Sequence, residues 1–191
     1  MDKTNSGQYW VTWANTNAKN SENVEDLAVP FRTNVKAFIQ ALEDAGATVT
    51  VTATRRAAKR AYLFHWSWKI ALGKAKPSEA IAMDGVDIQW DHGDLKASKA
   101  GANEMVRGFG LAIPPKSTVA PSLNSNHIAG NAIDMDIVWS GTLSIAKKDG
   151  KLVKVAYMTN PNANGHLHTV GASYRVMKHK TDAPHWSYNG W

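Results

Sequence analysis

Three side chains able to hold a divalent cation fall in two separated segments, Ser125-Asn126-His127-Ile128-Ala129-Gly130-Asn131-Ala132-Ile133-Asp134 and Asp182-Ala183-Pro184-His185-Trp186. Two imidazoles and one carboxylate are a common protein set for a catalytic zinc ion, which keeps its fourth position open to water. Asp182, on the same short segment as His185, could then take a proton from that water. Taken singly, each residue has a plainer reading. His127 is a loop histidine, Asp134 and Asp136 are a solvated strand face, and His185 is a histidine fixed between Pro184 and Trp186.

The elements that must position these residues are read from periodicity. The run Ala132 to Trp139 alternates, so Ile133, Met135, Ile137 and Trp139 share one face while Asp134 and Asp136 share the other. Carboxylates on one face of an otherwise apolar strand need a metal, a basic partner or backbone donors to offset their desolvation. Gly130 lets the preceding loop fold back, so that His127 and Asp134 converge. The alternating, β-branched run Ala47 to Thr52 predicts a strand that delivers Arg55 and Arg56 at its end.

Helices are expected from Pro30 to about Asp44, from Ala57 to Leu72 with Gly73 as its stop, over residues 98–111, and over residues 162–174. Gly101, Gly108 and Gly110 count against the third of these. Leu143–Ala146 and Leu152–Ala156 read as a hairpin through Lys147-Lys148-Asp149-Gly150, and a short strand precedes the second candidate segment. Residues 1–26, rich in Asn, Thr and Ser, read as an irregular arm, and 27–191 as a single domain. His166 and His168 have metal-like spacing for a strand but no nearby carboxylate, and His65 reads as a hydrogen-bonded core histidine.

Composition narrows the function classes. The chain has 191 residues, 43% hydrophobic and 20% charged, values of a folded globular protein, and no apolar run reaches membrane-span length. With no cysteine, only His, Asp and Glu remain as metal ligands. The formal charge of +6 favours an anionic partner. The basic residues are scattered, the densest clusters being Arg55–Arg60 and Lys178-His179-Lys180, and no nucleic-acid motif surrounds them, so nucleic acid is not an expected partner. A monomer without membrane insertion is expected.

The pattern Ser-x-His-x-x-Gly-x-Ala-x-Asp, here Ser125, His127, Gly130, Ala132 and Asp134, followed by Asp182, His185 and Trp186, resembles the zinc D-Ala-D-Ala dipeptidase and carboxypeptidase family. That family includes the L-alanyl-D-glutamate endopeptidases of phage endolysins and shares the hedgehog/DD-peptidase fold. Thr52-Ala53-Thr54-Arg55, Arg60-Ala61-Tyr62-Leu63-Phe64-His65-Trp66 and Val170-Gly171-Ala172-Ser173-Tyr174 extend the resemblance over roughly residues 47–188. It implies an α+β fold with a central antiparallel sheet and flanking helices, Zn2+ held by His127, Asp134 and His185, and Asp182 as general base. Arg55 would hold an oxyanion or a substrate carboxylate, although the family's Gly-Tyr is replaced by Ala53-Thr54, which leaves Arg56 as the other candidate. Ser125, Asp136 and Trp186 would touch substrate or support the ligands.

The implied reaction is hydrolysis of an amide bond in the peptidoglycan stem peptide, by an antibacterial enzyme of the cell-wall-degrading type. The segments around Arg60 and Tyr174 lean toward the carboxypeptidase branch, while Asp182 in place of Glu leans toward the endopeptidases. The polar start of the chain has no signal-peptide character. The expectation is therefore synthesis in the cytoplasm and action on the wall after holin-type release or delivery by a secretion system. The competing reading is a non-catalytic wall-binding module on the same fold.

Overall fold

The computed structural model describes residues 4–191. In chain order the elements are α1 (Gln8–Asn17), α2 (Phe31–Asp44), β1 (Thr48–Ala53), α3 (Ala58–Ala71), α4 (Leu95–Gly108), β2 (Ala132–Val138), β3 (Thr142–Ala146), β4 (Leu152–Ala156), α5 (Gly165–Ser173), β5 (Met177–Lys178) and β6 (His185–Ser187). The protein is α+β, with antiparallel sheets and several helices. No helix among the described residues is long and apolar enough to cross a membrane.

The chain groups into two compact units, one joining the segment up to Lys19 with Ala57–Asn124, the other joining Asn20–Arg56 with Ser125–Trp191. The expected boundary near residue 26 does not coincide with this grouping. The first unit is helical. Trp10, Val11 and Ala14 of α1, Tyr62, Leu63, Trp66 and Ile70 of α3, and Ala102 and Met105 of α4 form its core with Val86 and Trp90.

α1 corrects the irregular arm expected over residues 1–26, the first three of which lie outside the described residues. Its sequence, QYWVTWANTN, has weak helix formers and only three buried positions, so local propensity gives little sign of it. Packing against α4 supplies the stability, and the glycines of α4 permit it. A Cβ at Gly101 would run into the carbonyl of Ser6, and one at Gly108 would lie 2.8 Å from Val11 Cγ2. Two of the three glycines that weaken the case for α4 from sequence, Gly101 and Gly108, are thus the ones that admit the N-terminal segment.

The second unit carries a four-stranded sheet in the order β1-β2-β6-β5 and a separate β3-β4 hairpin. All its pairings are antiparallel. The apolar face of α2, Phe31, Val35, Phe38 and Leu42, packs with Ile133 and Met135 of β2, Ile145 and Val155 of the hairpin, Leu167 and Val170 of α5, and Trp186 of β6. Phe38 and Trp186 meet with ring centroids 5.2 Å apart. Removing a side chain of this kind from water stabilises by about 1.5–3 kcal/mol, so this layer holds the apolar face of the sheet in place. β2 alternates as its sequence requires, with Ile133 and Met135 buried, Asp134 half-buried and Asp136 exposed.

Gly101→Ala should destabilise the protein by about 1–3 kcal/mol, because the obstacle is backbone rather than a flexible side chain. Thermal denaturation checks this. A parent-like midpoint would mean that α4 and the segment at Ser6 are not in close contact.

Candidate metal centre

All the candidate ligands sit in the second unit, on the polar face of its sheet. β2 and β6 pair with Asp134 opposite His185 and Ile133 opposite Trp186. Register alone therefore places Asp134 beside His185 and sends Trp186 to the other face, where it is 1% exposed in the core. Of the two roles anticipated for Trp186, touching substrate or supporting the ligands, its burial in the core beneath His185 suits the second.

His127 comes from a tight turn. Ser125 accepts backbone hydrogen bonds from Ile128 and Ala129, and Asn126 accepts one from Asn131. Gly130 has φ 72°, and its carbonyl accepts a bond from Ala28 N at 2.9 Å. A Cβ at Gly130 would stand 2.9 Å from that same nitrogen, so both the conformation and the close approach demand glycine. The fold-back of this loop onto the strand matches the sequence expectation.

Three atoms converge. His185 Nδ1 lies 3.0 Å from Asp134 Oδ1, His127 Nε2 lies 3.3 Å from the same oxygen, and the two ring nitrogens are 3.1 Å apart. The outer nitrogen of each ring faces a backbone carbonyl, His127 Nδ1 that of Thr54 at 2.6 Å and His185 Nε2 that of Trp191 at 3.4 Å. A carbonyl can only accept, so each outer nitrogen must carry the proton. In neutral rings the inner nitrogens then present lone pairs, and three acceptors crowd one point. Something positive must stand among them, either a metal ion or protons on the inner nitrogens.

The spacing suits an ion. A tetrahedral centre with bonds of about 2.0–2.1 Å holds its ligand atoms about 3.3–3.4 Å apart, close to the three separations here. The buried pair of imidazoles and half-buried carboxylate thus form a group that could hold a metal ion, with both imidazoles oriented from behind by backbone carbonyls. Burial pushes the Asp134 carboxyl up, but the hydrogen bonds and charges of His127 and His185 outweigh it and hold the group well below the usual carboxylate range.

The other anticipated residues are distributed unevenly around this centre. Asp182 lies in the turn before β6; its carbonyl accepts from His185 N at 3.2 Å, and its side chain is exposed. Asp136 is exposed two places along β2 and lies outside the metal-holding group. Arg55 is exposed. Arg56 is half-buried and feels the charge of Asp134; burial lowers its guanidinium from the ordinary value and Asp134 opposes that fall. Arg56 N also donates to the His127 carbonyl at 3.0 Å. Of the two arginines, Arg56 is thus the half-buried one whose backbone is tied to the His127 turn. Ser125 Oγ, Thr54 Oγ1 and Arg56 Nε are all buried without a hydrogen-bond partner among the described residues.

His166 and His168 fall on α5 and not on a strand; His166 is exposed, and His168 Nε2 bonds the Pro161 carbonyl at 2.7 Å. His65, in the first unit, bonds the Pro121 carbonyl at 2.8 Å, the role expected of it. Three residues escaped the sequence reading. His179 packs edge-on against both His185 and Trp191, with centroids 5.5 and 5.8 Å away. Asn126 Nδ2 binds Asn189 Oδ1 at 2.9 Å and also the Trp191 carbonyl, tying the ligand loop to the segment behind His185. Lys178 is buried beside the same turn.

No protein-family model matches the chain, and no curated protein or solved structure matches it. The case for a function rests on the site itself and on the motif resemblance.

In the metal-free protein, the depressed Asp134 carboxyl makes a signed prediction. A group whose folded pKa lies below its unfolded value contributes stability that is present above the unfolded value, about 3.9 for Asp, and is lost as pH falls toward the folded value. Stability should therefore drop on acidification below about pH 4, and Asp134→Asn should flatten that acid limb. Urea titrations at several pH values measure it; an unchanged limb would show that Asp134 is not held by the imidazoles.

Proposed function

We propose that the protein is a zinc-dependent peptidase of the hedgehog/DD-peptidase type, cleaving an amide bond in the stem peptide of peptidoglycan. The observation that carries this reading is the convergence of His127 Nε2, Asp134 Oδ1 and His185 Nδ1, two of them oriented from behind by backbone carbonyls. Two His and one carboxylate leave a tetrahedral ion one open position, the arrangement of hydrolytic rather than structural zinc. A bound zinc ion would supply Lewis acidity toward the scissile carbonyl and a water acidified to near-neutral pKa.

The remaining steps fall to the chain's own groups. Asp182 takes the proton from the attacking water and passes it to the leaving amine. The turn before His185 holds it close in sequence to a ligand while leaving its carboxylate exposed to incoming substrate. Arg56 stabilises the oxygen that gains charge, a task that suits a half-buried guanidinium better than exposed Arg55. Ser125 Oγ and Thr54 Oγ1 are buried beneath the ligand turn, so their place is behind the ligands and not against the stem peptide. The net charge of +6 draws the protein toward an anionic wall.

Digestion of purified muropeptides with zinc supplied, followed by mass analysis, tests the reaction. Loss of a terminal alanine identifies a carboxypeptidase and separation of alanine from glutamate an endopeptidase; intact substrate overturns the hydrolase reading and leaves a wall-binding module. Asp182→Asn should abolish turnover while zinc content and folding persist, and a fully active variant would remove Asp182 from the mechanism. Arg56→Met should lower kcat by about 10²–10³-fold and Arg55→Met by far less. The reverse ranking would return the role to Arg55.

A further inference from the structure

Lys178 belongs, by sequence, to the basic cluster Lys178-His179-Lys180. The structure separates its members. Lys180 is exposed, whereas Lys178 is 7% exposed, its ammonium 5.6 Å from the Trp186 ring. Burial lowers its pKa to about 8, with the Asp182 and Asp134 charges pulling the other way.

The surroundings of that ammonium are unusual. It donates to the carbonyls of His179 at 2.6 Å and His185 at 3.2 Å, and to that of Asp182. An ammonium has three protons, so these bonds use all of them, on neutral acceptors. All three carbonyls belong to one stretch, the connection from β5 that holds Asp182 and ends on His185. Two of them already accept a backbone bond, Asp182 O from His185 N at 3.2 Å and His185 O from His179 N at 3.0 Å. The connection is thus wound around an internal cation.

We infer that Lys178 is a positioning residue of the metal centre, its ammonium setting the backbone of the Asp182–His185 turn so that His185 Nδ1 meets His127 Nε2 and Asp134 Oδ1. This rests on the metal-centre reading. A buried ammonium is costly unless fully hydrogen-bonded, and an apolar side chain would fill the same space against Trp186 at less expense. What the apolar side chain cannot do is gather three carbonyls. Without the ammonium these lose a donor each, the turn relaxes, and the ligand on its last residue moves with it. Groups that orient a metal ligand from behind typically control metal affinity 10–100-fold.

The test compares zinc affinity, by competition with a chromophoric chelator, for the parent, Lys178→Met and Lys180→Met, alongside far-UV circular dichroism and the visible spectrum of the cobalt-loaded proteins. Lys178→Met should keep the parent's fold but bind zinc about 10–100-fold more weakly and show an altered cobalt spectrum, while Lys180→Met matches the parent in both. A folded Lys178→Met with parental zinc affinity and cobalt spectrum overturns the inference and leaves the metal centre standing. A parent that takes up neither metal overturns both. If Lys178→Met does not fold, the ¹⁵N resonance of the Lys178 ammonium in the parent decides: a shift on adding zinc supports the coupling, and an unmoved resonance refutes it.

Discussion

Mutual repulsion of three lone-pair acceptors is the constraint to which the second unit is built. With the outer ring nitrogens protonated, two imidazole nitrogens and a carboxylate oxygen within 3.0–3.3 Å of one another repel unless a metal ion or protons on the inner nitrogens stand among them. They are held by what stands behind them: the β2–β6 register, the turn closed by Gly130, and the carbonyls of Thr54 and Trp191. Each of these rests in turn on the apolar layer of α2, α5 and Trp186, which fixes the sheet from its opposite face. The core and the site are thus two faces of the same few residues. Ile133 and Trp186 anchor in the core what Asp134 and His185 present above it.

Elements set by local periodicity were legible from sequence. β2 alternates cleanly, α2 repeats its apolar residues at helical spacing, and the hairpin turn carries its own glycine, so these lie within a residue or two of expectation. The ligand trio was legible through the resemblance carried by its two segments together, since each residue taken singly has a plainer reading. What could not be read depended on partners distant in sequence. α1 owes its helix to glycines of α4, and Lys178 has a side chain whose type argues for solvent until three carbonyls are found around it.

The choice between Arg55 and Arg56 shows the same limit at the scale of one residue. Alternation along β1 would send Arg55 inward. The pairing with β2 shifts register between Val51 and Ala53, and beyond it Thr54 is fully buried, Arg55 exposed and Arg56 half-buried. The inward face of β1 is the apolar one of Val49 and Val51, whereas Thr50 shares the face of Asp136, so strand-end position and not the period is what favours Arg55 from sequence. The family's Gly-Tyr is replaced here by Ala53-Thr54, so the resemblance does not decide between the two arginines.

The chain leaves the second unit after Arg56 and returns at Ser125, and the Arg56 N to His127 O bond spans the two ends at 3.0 Å. Everything from Ala57 to Asn124 is therefore, from the viewpoint of the metal centre, a closed excursion starting and finishing at its rim. The entropic cost of closing a flexible loop rises by only about 0.6 kcal/mol for each doubling of its length. In the unfolded chain, bringing Arg56 back to His127 thus costs only modestly more than closing a short loop would. In the folded protein the helical unit is completed by the segment up to Lys19, so this excursion is not a self-contained insertion.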